Sequence, residues 1–233
     1  MVSVIIPARA ERWLNKTIDE IKTKFGGDFE IIVTLEGKPK SKLPEGVTYI
    51  HNKEPKGMRT AINQAVAKAK GKYIMKLDAH CMLDKNIDLK LIKEHKKGWV
   101  QIPRRKRLDA HKWELITGRR DIDYMKISMP DFIGTVVHRS NNKLIEGTGT
   151  FQGSCYFIER DYFHKLGLLD DVNFSGSGNE AQEITLKVLH DGGSVIRNKK
   201  TWYAHSRTYR YYKTDRTKSR EYIKVLAKKY GYR

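Results

Sequence analysis

The sequence predicts an α/β fold with a mostly parallel central sheet flanked by helices. Two observations carry this. Continuous β-branched runs alternate with amphipathic helical stretches through the first third of the chain, as strands covered on both faces require. Polar residues capable of chemistry recur directly after those runs end.

The first run, Val2–Ile6, stops at Pro7 and gives way to a charged stretch from Arg9 to Arg12. Leu14, Ile18 and Ile21 then share one face of a helix. "FEIIVTLEG" (29–37) and "GVTYIHN" (46–52) read as the second and third strands. Gly57 opens "GMRTAINQAVAKAKG", whose Met58, Ala61, Ile62, Ala65, Val66 and Ala69 fall on one side before Gly71 stops the helix. "KYIMKL" (72–77) returns as strand.

After residue 86 the pattern loosens. A charged helix over 87–97 precedes the strand "WVQIP" (99–103), the basic cluster Arg104, Arg105, Lys106, Arg107, and a weakly patterned stretch to about residue 148. "FQGSCYFIER" (151–160) predicts a strand and "RDYFHKLGLLD" a short helix ended by Gly167. "GSGNEAQEITLKVLHDGG" predicts a loop feeding a helix, "SVIRN" and "TWYAHSR" two strands, and the chain from about Ser219 a closing helix.

Charge narrows the partners. Lys and Arg number 46 against 27 Asp and Glu, a net +19, which favours an anionic partner such as nucleic acid, nucleotide or an acidic membrane surface. From Arg197 onward there are thirteen basic residues and two acidic ones, Asp215 and Glu221. No stretch reaches the length of a spanning helix, so stable membrane insertion is not expected. Cys81 and Cys155 form neither a C-x-x-C pair nor a zinc-ligand spacing, and the N-terminus lacks a basic signal-peptide region. The expectation is a soluble, cytoplasmic protein.

In sheets of this kind ligands bind outside the carboxyl ends of the strands, where Pro7–Arg9, Glu36 and Asp78–His80 stand. In an extended segment Asp78 and His80, two residues apart, point to the same side and can converge on a divalent ion such as Mn²⁺. The alternative is that Asp78 caps the following turn and His80 is incidental. Cys81 reads as a buried bystander.

Four blocks in order, "VSVIIPARAE", "GMRTAINQAVAKAKGKYIMKLDAHC", "GSCYFIERDYFHKLGLLDD" and "GNEAQEITLKV", resemble family 2-like glycosyltransferases of the GT-A fold. The resemblance is closest to the polypeptide N-acetylgalactosaminyltransferase branch, whose metal motif is Asp-x-His, and covers roughly residues 1–208. It implies a GT-A domain over 1–208, with a nucleotide-binding half to 100 and an acceptor and catalytic half from 101, followed by a basic, aromatic tail and helix over 209–233.

By that resemblance Asp78, His80 and His205 bind Mn²⁺ (or Mg²⁺), and Asp78 also meets the diphosphate of a UDP-sugar donor. Pro7, Ala8, Arg9 and Glu11 match the loop that holds base and ribose, Glu36 an acidic position contacting them, and Arg59 a basic position facing the nucleotide. Gly153 would let the backbone approach the donor sugar. Without the resemblance, His205 reads as a tail histidine beside aromatics, Arg59 as a solvated helix residue and Gly153 as a bulge glycine.

Glu180 stands at the acidic motif where many inverting relatives carry Glu-Asp, but Ala181 replaces the Asp that would serve as base. Either Glu180 is the base and configuration inverts, or the leaving diphosphate takes the acceptor proton and configuration is retained. Retention is the favoured expectation. Glu183 is read as orienting neighbours or capping the helix.

For the acceptor, the basic cluster Arg104–Arg107 and the tail residues Arg207, Arg210, Tyr211 and Tyr212 pair phosphate-neutralising charge with stacking rings. A hydroxylated base in DNA is the leading acceptor, extruded from the duplex to expose its hydroxyl. The alternatives are a lipid-linked or cell-envelope glycan at an anionic membrane, and a non-catalytic nucleic-acid-binding protein with a degenerate transferase fold. Protein partners are not legible in the sequence.

Overall fold

The computed structural model describes residues 1–128, 131–137, 141–174, 178–206 and 215–232. β1 (Val2–Ala8) is buried along its whole length. Its even-numbered residues Val2, Val4 and Ile6 enter one apolar layer and Ile5 enters the other, so a strand without polar alternation is covered on both faces. α1 (Leu14–Lys24) supplies the first cover through Leu14, Ile18 and Ile21. It ends before Gly26 and Gly27, whose backbone N–H groups donate to the buried Asp88 carboxylate at 3.0 and 2.8 Å. β2 (Phe29–Glu36) and β3 (Thr48–Asn52) add in parallel on one side of β1.

α2 (Met58–Lys68) then carries the chain back, burying Ala61, Ile62, Ala65 and Val66, and β4 (Tyr73–Leu77) pairs in parallel on the other side of β1. Gly71, in the turn before β4, is required: a Cβ there would lie 2.7 Å from the backbone nitrogen of Ser3. Because β1 has β2 on one side and β4 on the other, the strand order reverses between β1 and β4. A crevice opens at the carboxyl end of such a reversal.

β5 (Cys81–Leu83) follows, and α3 (Ile87–Glu94) buries Ile87 and Leu91. β6 (Trp99–Asp109) runs straight through the basic cluster. β7 (Glu114–Leu115), β8 (Met125–Ser128), β9 (Ile133–Val136) and β10 (Ile145–Gly147) occupy the stretch that carries no clear pattern in the sequence. They run two to four residues, too short for periodicity to register. β11 (Cys155–Glu159), α4 (Arg160–Lys165) and α5 (Glu180–His190) follow. β12 (Ser194–His205) is one strand with an irregularity between Asn198 and Trp202, where two strands were expected. α6 (Arg216–Lys229) closes the chain.

The sheet order is β10-β12-β6-β11-β4-β1-β2-β3. It is mixed: the β4-β1-β2-β3 half and the β12-β6 pair are parallel, while β11 runs antiparallel to both β4 and β6. Helices cover both faces. One apolar layer lies against α1 and α3, and the other against α2, α4 and α5. Truncating a residue such as Ile5, fully buried in that second layer, should cost about 2–5 kcal/mol.

The C-terminal helix is part of this body. Ile223, Leu226 and Ala227 of α6 form a third apolar cluster with Phe132 and Leu186. Its first turn is capped by Asp215, which accepts from the backbone of Thr217 and Lys218 at 3.1 Å each. The closing helix expected from about Ser219 is thus α6, which starts at Arg216 and packs on α5. Arg207, Arg210, Tyr211 and Tyr212 lie outside the described residues. Among the described residues no helix is long and apolar enough to cross a membrane.

Candidate active site

Chain connectivity brings three distant side chains to the carboxyl edge of the sheet. Lys76, Asp78 and His80 share one side of β4 and its extension. The backbone N–H of Asp78 donates to Ser154 O at 2.9 Å, which holds that extension on the loop before β11. β5 then pairs antiparallel with the end of β12, placing His205 opposite Cys81 and beside His80. His80 Nε2 and His205 Nε2 stand 3.0 Å apart, and His205 Nε2 is 3.1 Å from Asp78 Oδ2. The ligand atoms of Asp78, His80 and His205 all lie within 4.8 Å of one another.

Two imidazole nitrogens and a carboxylate oxygen turned inward on each other form a donor set, and their mutual proximity calls for a proton or a cation between them. An O/N/N set of this kind suits Mn²⁺ or a similar divalent ion, so the residues fit the expected metal. The side chains of Asp78, His80 and His205 keep exposures of 23, 13 and 14%, which leaves the cluster reachable from the crevice.

The outer atom of each ligand is also held. Glu11 Oε2 meets His80 Nδ1 at 3.1 Å, the carboxylate–histidine arrangement that fixes a ligating ring. Arg105 Nη2 donates to His205 Nδ1 at 2.9 Å, so in this arrangement the proton of neutral His205 sits on Nε2. Offering Nε2 to a metal requires that proton to move to Nδ1 and the Arg105 contact to relax. Lys76 Nζ is paired with Asp78 Oδ1 and donates to Gly153 O at 2.6 Å.

These contacts set the titration of the cluster. Burial alone would raise the Asp78 carboxyl, but the Lys76 ammonium and the two histidines outweigh it and hold it well below the usual range. Burial works against charge on His80 too, yet the bond to Glu11 and the field of Asp78 raise its pKa above the ordinary value. Burial dominates at His205, lowering it to about 4 despite Asp78, so its ring is neutral near pH 7. Cys81 and Cys155 are fully buried, and desolvation raises both thiols away from reactivity.

The remaining expected site residues divide. Pro7 and Ala8 end β1 at the crevice, and Arg9 and Glu11 follow in the loop, where Ala10 takes the left-handed conformation at φ 51°. Gly153 stands beside Glu180, since a Cβ on it would lie 3.7 Å from Glu180 Oε2. Glu180 opens α5, and its Oε1 accepts from the Gly178 backbone at 2.7 Å.

Two residues expected at the donor site carry structural contacts. Glu36 is buried, with Oε1 accepting from Asn52 at 2.6 Å and Oε2 from the Gly57 backbone at 2.8 Å. Both its carboxylate oxygens thus hold the loop that starts α2. Arg59 is fully buried: it is ion-paired with Glu183, donates to Gly178 O at 3.1 Å, and lies over the rings of Phe174 and Tyr222. It clamps α2 to α5. Glu183 receives the Asp170 N–H at 2.8 Å and a second cation, Lys187, at 2.8 Å.

The basic cluster expected to bind acceptor is also largely committed, because strand alternation sends its members to opposite faces. Arg104 forks onto Asp123 at 2.8 and 2.9 Å. Lys106 sits 4.5 Å from the Trp202 ring centroid. Arg105 is 6% exposed against His205, while Arg107 lies in register with His205 and is half-buried. Lys76 was not anticipated. A lysine inside the apolar run "YIMKL", two residues before Asp78, was the available signal. A concavity of about 370 Å³ beside Asp170, Lys187 and Tyr230 lies on the helical side and includes none of the Asp78 cluster.

No curated protein was found to match the sequence. Among solved structures, the crystal structure of GalNAc-T7 with UDP, GalNAc and Mn²⁺ superposes with a TM-score of 0.78 at 23% identity, covering 90% of this chain. The chain spans 44% of the length of that protein, and the likeness establishes the GT-A type of nucleotide-diphospho-sugar transferase fold. The family model for glycosyl transferase family 2 matches residues 3–167, a span that holds the reversal point of the sheet together with Asp78 and His80. The chain therefore belongs to glycosyl transferase family 2.

Proposed function

We propose that the protein transfers a sugar from a UDP-sugar to a hydroxyl acceptor, with Asp78, His80 and His205 holding a divalent metal, Mn²⁺ in the first instance, against the donor diphosphate. The observation that carries this is the convergence of those three ligand atoms at the strand-order reversal of a family 2 chain. The solved structure with the same fold contains UDP and Mn²⁺. When bound, the metal supplies Lewis-acid neutralisation of the charge that develops on the departing diphosphate.

The chain's own residues do the rest. Pro7 to Glu11 line the nucleoside side of the crevice, and Glu11 keeps the His80 ring oriented through Nδ1. Gly153 gives the sugar room beside Glu180. Ala181 offers no carboxylate, and one Glu180 oxygen is engaged by Gly178, which favours retention without a dedicated protein base. In that step the acceptor oxygen forms the new bond to the anomeric carbon on the face the diphosphate leaves, and its proton passes to a diphosphate oxygen.

The acceptor we favour is a hydroxylated base in DNA. The net charge of +19 supports an anionic acceptor, and α6 turns Lys218, Arg220, Lys228 and Lys229 to solvent. That helix spends Ile223, Leu226 and Ala227 on the protein core, which disfavours it as a lipid-inserting helix.

The test is incubation with Mn²⁺ and a panel of UDP-sugars, with hydroxymethylated and plain DNA as acceptors beside glycans and liposomes, read by mass spectrometry. A mass increase of one sugar on hydroxymethylated DNA alone is expected, with an anomeric configuration matching the donor by NMR. Transfer to glycans only would replace the acceptor assignment. No transfer and no donor hydrolysis with any UDP-sugar would overturn the reading.

A further inference from the structure

Around the metal-ligand cluster lie two cations that a divalent-ion site does not need for coordination. Lys76 is 1% exposed, and its ammonium holds Asp78 Oδ1, so only Oδ2 faces the histidines. Arg105 is 6% exposed, reaches His205 Nδ1 through Nη2, and leaves Nε buried with no hydrogen-bond partner among the described residues. The two acidic groups of the cluster, Asp78 and Glu11, are thus matched by two cations at contact distance. The charges of Asp78, Glu11, Lys76 and Arg105 sum to zero, so these four groups together offer a divalent ion almost no net attraction.

We propose that Lys76 and Arg105 set the charge of the ligand cluster, and Arg105 the tautomer of His205, so that a free divalent ion binds weakly. The negative charge of the donor diphosphate is then what completes the site. This rests on the metal–diphosphate reading above and adds to it a requirement: metal and nucleotide enter as linked ligands, each raising the affinity for the other by the same factor. Lys76 has a second effect. By occupying Oδ1 it restricts Asp78 to one coordinating oxygen and ties that carboxylate to the Gly153 carbonyl, on the side where the sugar would lie.

The experiment is a Mn²⁺ titration of the whole chain followed by electron paramagnetic resonance of the free ion, with and without UDP, corrected for Mn²⁺–UDP in protein-free buffer. Wild-type protein is expected to bind Mn²⁺ roughly 5- to 150-fold more tightly with saturating UDP. Lys76→Met and, independently, Arg105→Gln are each expected to tighten Mn²⁺ binding without UDP by roughly tenfold or more, because a fixed positive charge near the ion is removed. Using two variants from different strands keeps the test open if one does not fold, with circular dichroism as the check.

Equal Mn²⁺ affinity with and without UDP, together with unchanged or weaker binding in both variants, would overturn the inference while leaving the metal site in place. Absence of Mn²⁺ binding under every condition in wild type and folded variants would overturn the site itself, and the inference with it.

Discussion

Two groups of charge in this molecule are built on opposite logic. At the Arg59–Glu183 node the charges are turned toward each other and closed in. The pair is fully buried, Lys187 and the Asp170 N–H complete the carboxylate, and Phe174 and Tyr222 lie against the guanidinium. Among the described residues only the Arg59 Nε lacks a partner there. At the Asp78–His80–His205 cluster the outer atoms are satisfied by Lys76, Glu11 and Arg105, while the inner atoms face one another across 3.0 and 3.1 Å and stay reachable from the crevice. Burial and charge are common to both; what separates a structural clamp from a chemical site is that one set of polar atoms is closed in by packing and the other stays reachable from the crevice.

That contrast can be broken by substitution. The largest effect is expected from Asp78→Ala, which should remove UDP-sugar turnover, measured by donor hydrolysis. It should also lower the thermal midpoint, measured by calorimetry, because the buried Lys76 ammonium loses its carboxylate. Full turnover in that variant would make the inner atoms as idle as those of the clamp. Next comes Glu183→Ala, which leaves the Arg59 charge buried without its partner and should cost about 3–5 kcal/mol of stability by denaturant unfolding. The paired change Arg59→Met with Glu183→Leu should recover much of that loss, as replacement of a buried ion pair by apolar side chains of similar size often does. If the double variant is less stable than the sum of the singles, Arg59 has a further role in the crevice.

A smaller effect is expected at the helix that closes over the clamp. Asp215→Ala removes the cap of α6 and should cost about 1 kcal/mol, seen as faster amide exchange in that helix with Mn²⁺ binding unchanged. Smallest is a titration shift. In metal-free protein the His80 pKa is above 6.5 because Glu11 and Asp78 outweigh its burial. Its contribution to stability is therefore full below pH 6.5 and lost as pH rises through the higher folded value. Glu11→Gln should move the His80 midpoint down in an NMR titration; an unmoved midpoint would remove Glu11 from the site.

The sequence disclosed the ordered half of the fold for a physical reason. Strands buried on both faces must be continuous apolar runs, so β1, β2 and β4 and the ends where ligands gather were visible in Val2–Ile6, Phe29–Glu36 and Tyr73–Leu77. The spacing of Asp78 and His80 was legible because alternation in an extended chain is local. Partners across the sheet were not, because nothing local fixes the parity of β6. The same four-residue basic run yields Arg104 on Asp123, Lys106 on Trp202 and Arg105 under His205. The structural partners of Arg59 and Glu36 were hidden for the related reason that a charged side chain reads as solvent- or ligand-facing until its buried partner, here Glu183 or Asn52, is located. Lys76 was readable by parity with Asp78, yet a lysine in an apolar run is easily taken for a strand edge.

The most direct test of the central claim is anomalous diffraction from crystals of the protein grown with Mn²⁺ and UDP, collected above the manganese edge. The account predicts one strong peak coordinated by Asp78 Oδ2, His80 Nε2, His205 Nε2 and diphosphate oxygens, with Lys76 and Arg105 outside the coordination sphere. A nucleotide bound at the crevice with no peak among those three side chains, or a peak held by other residues, would contradict it.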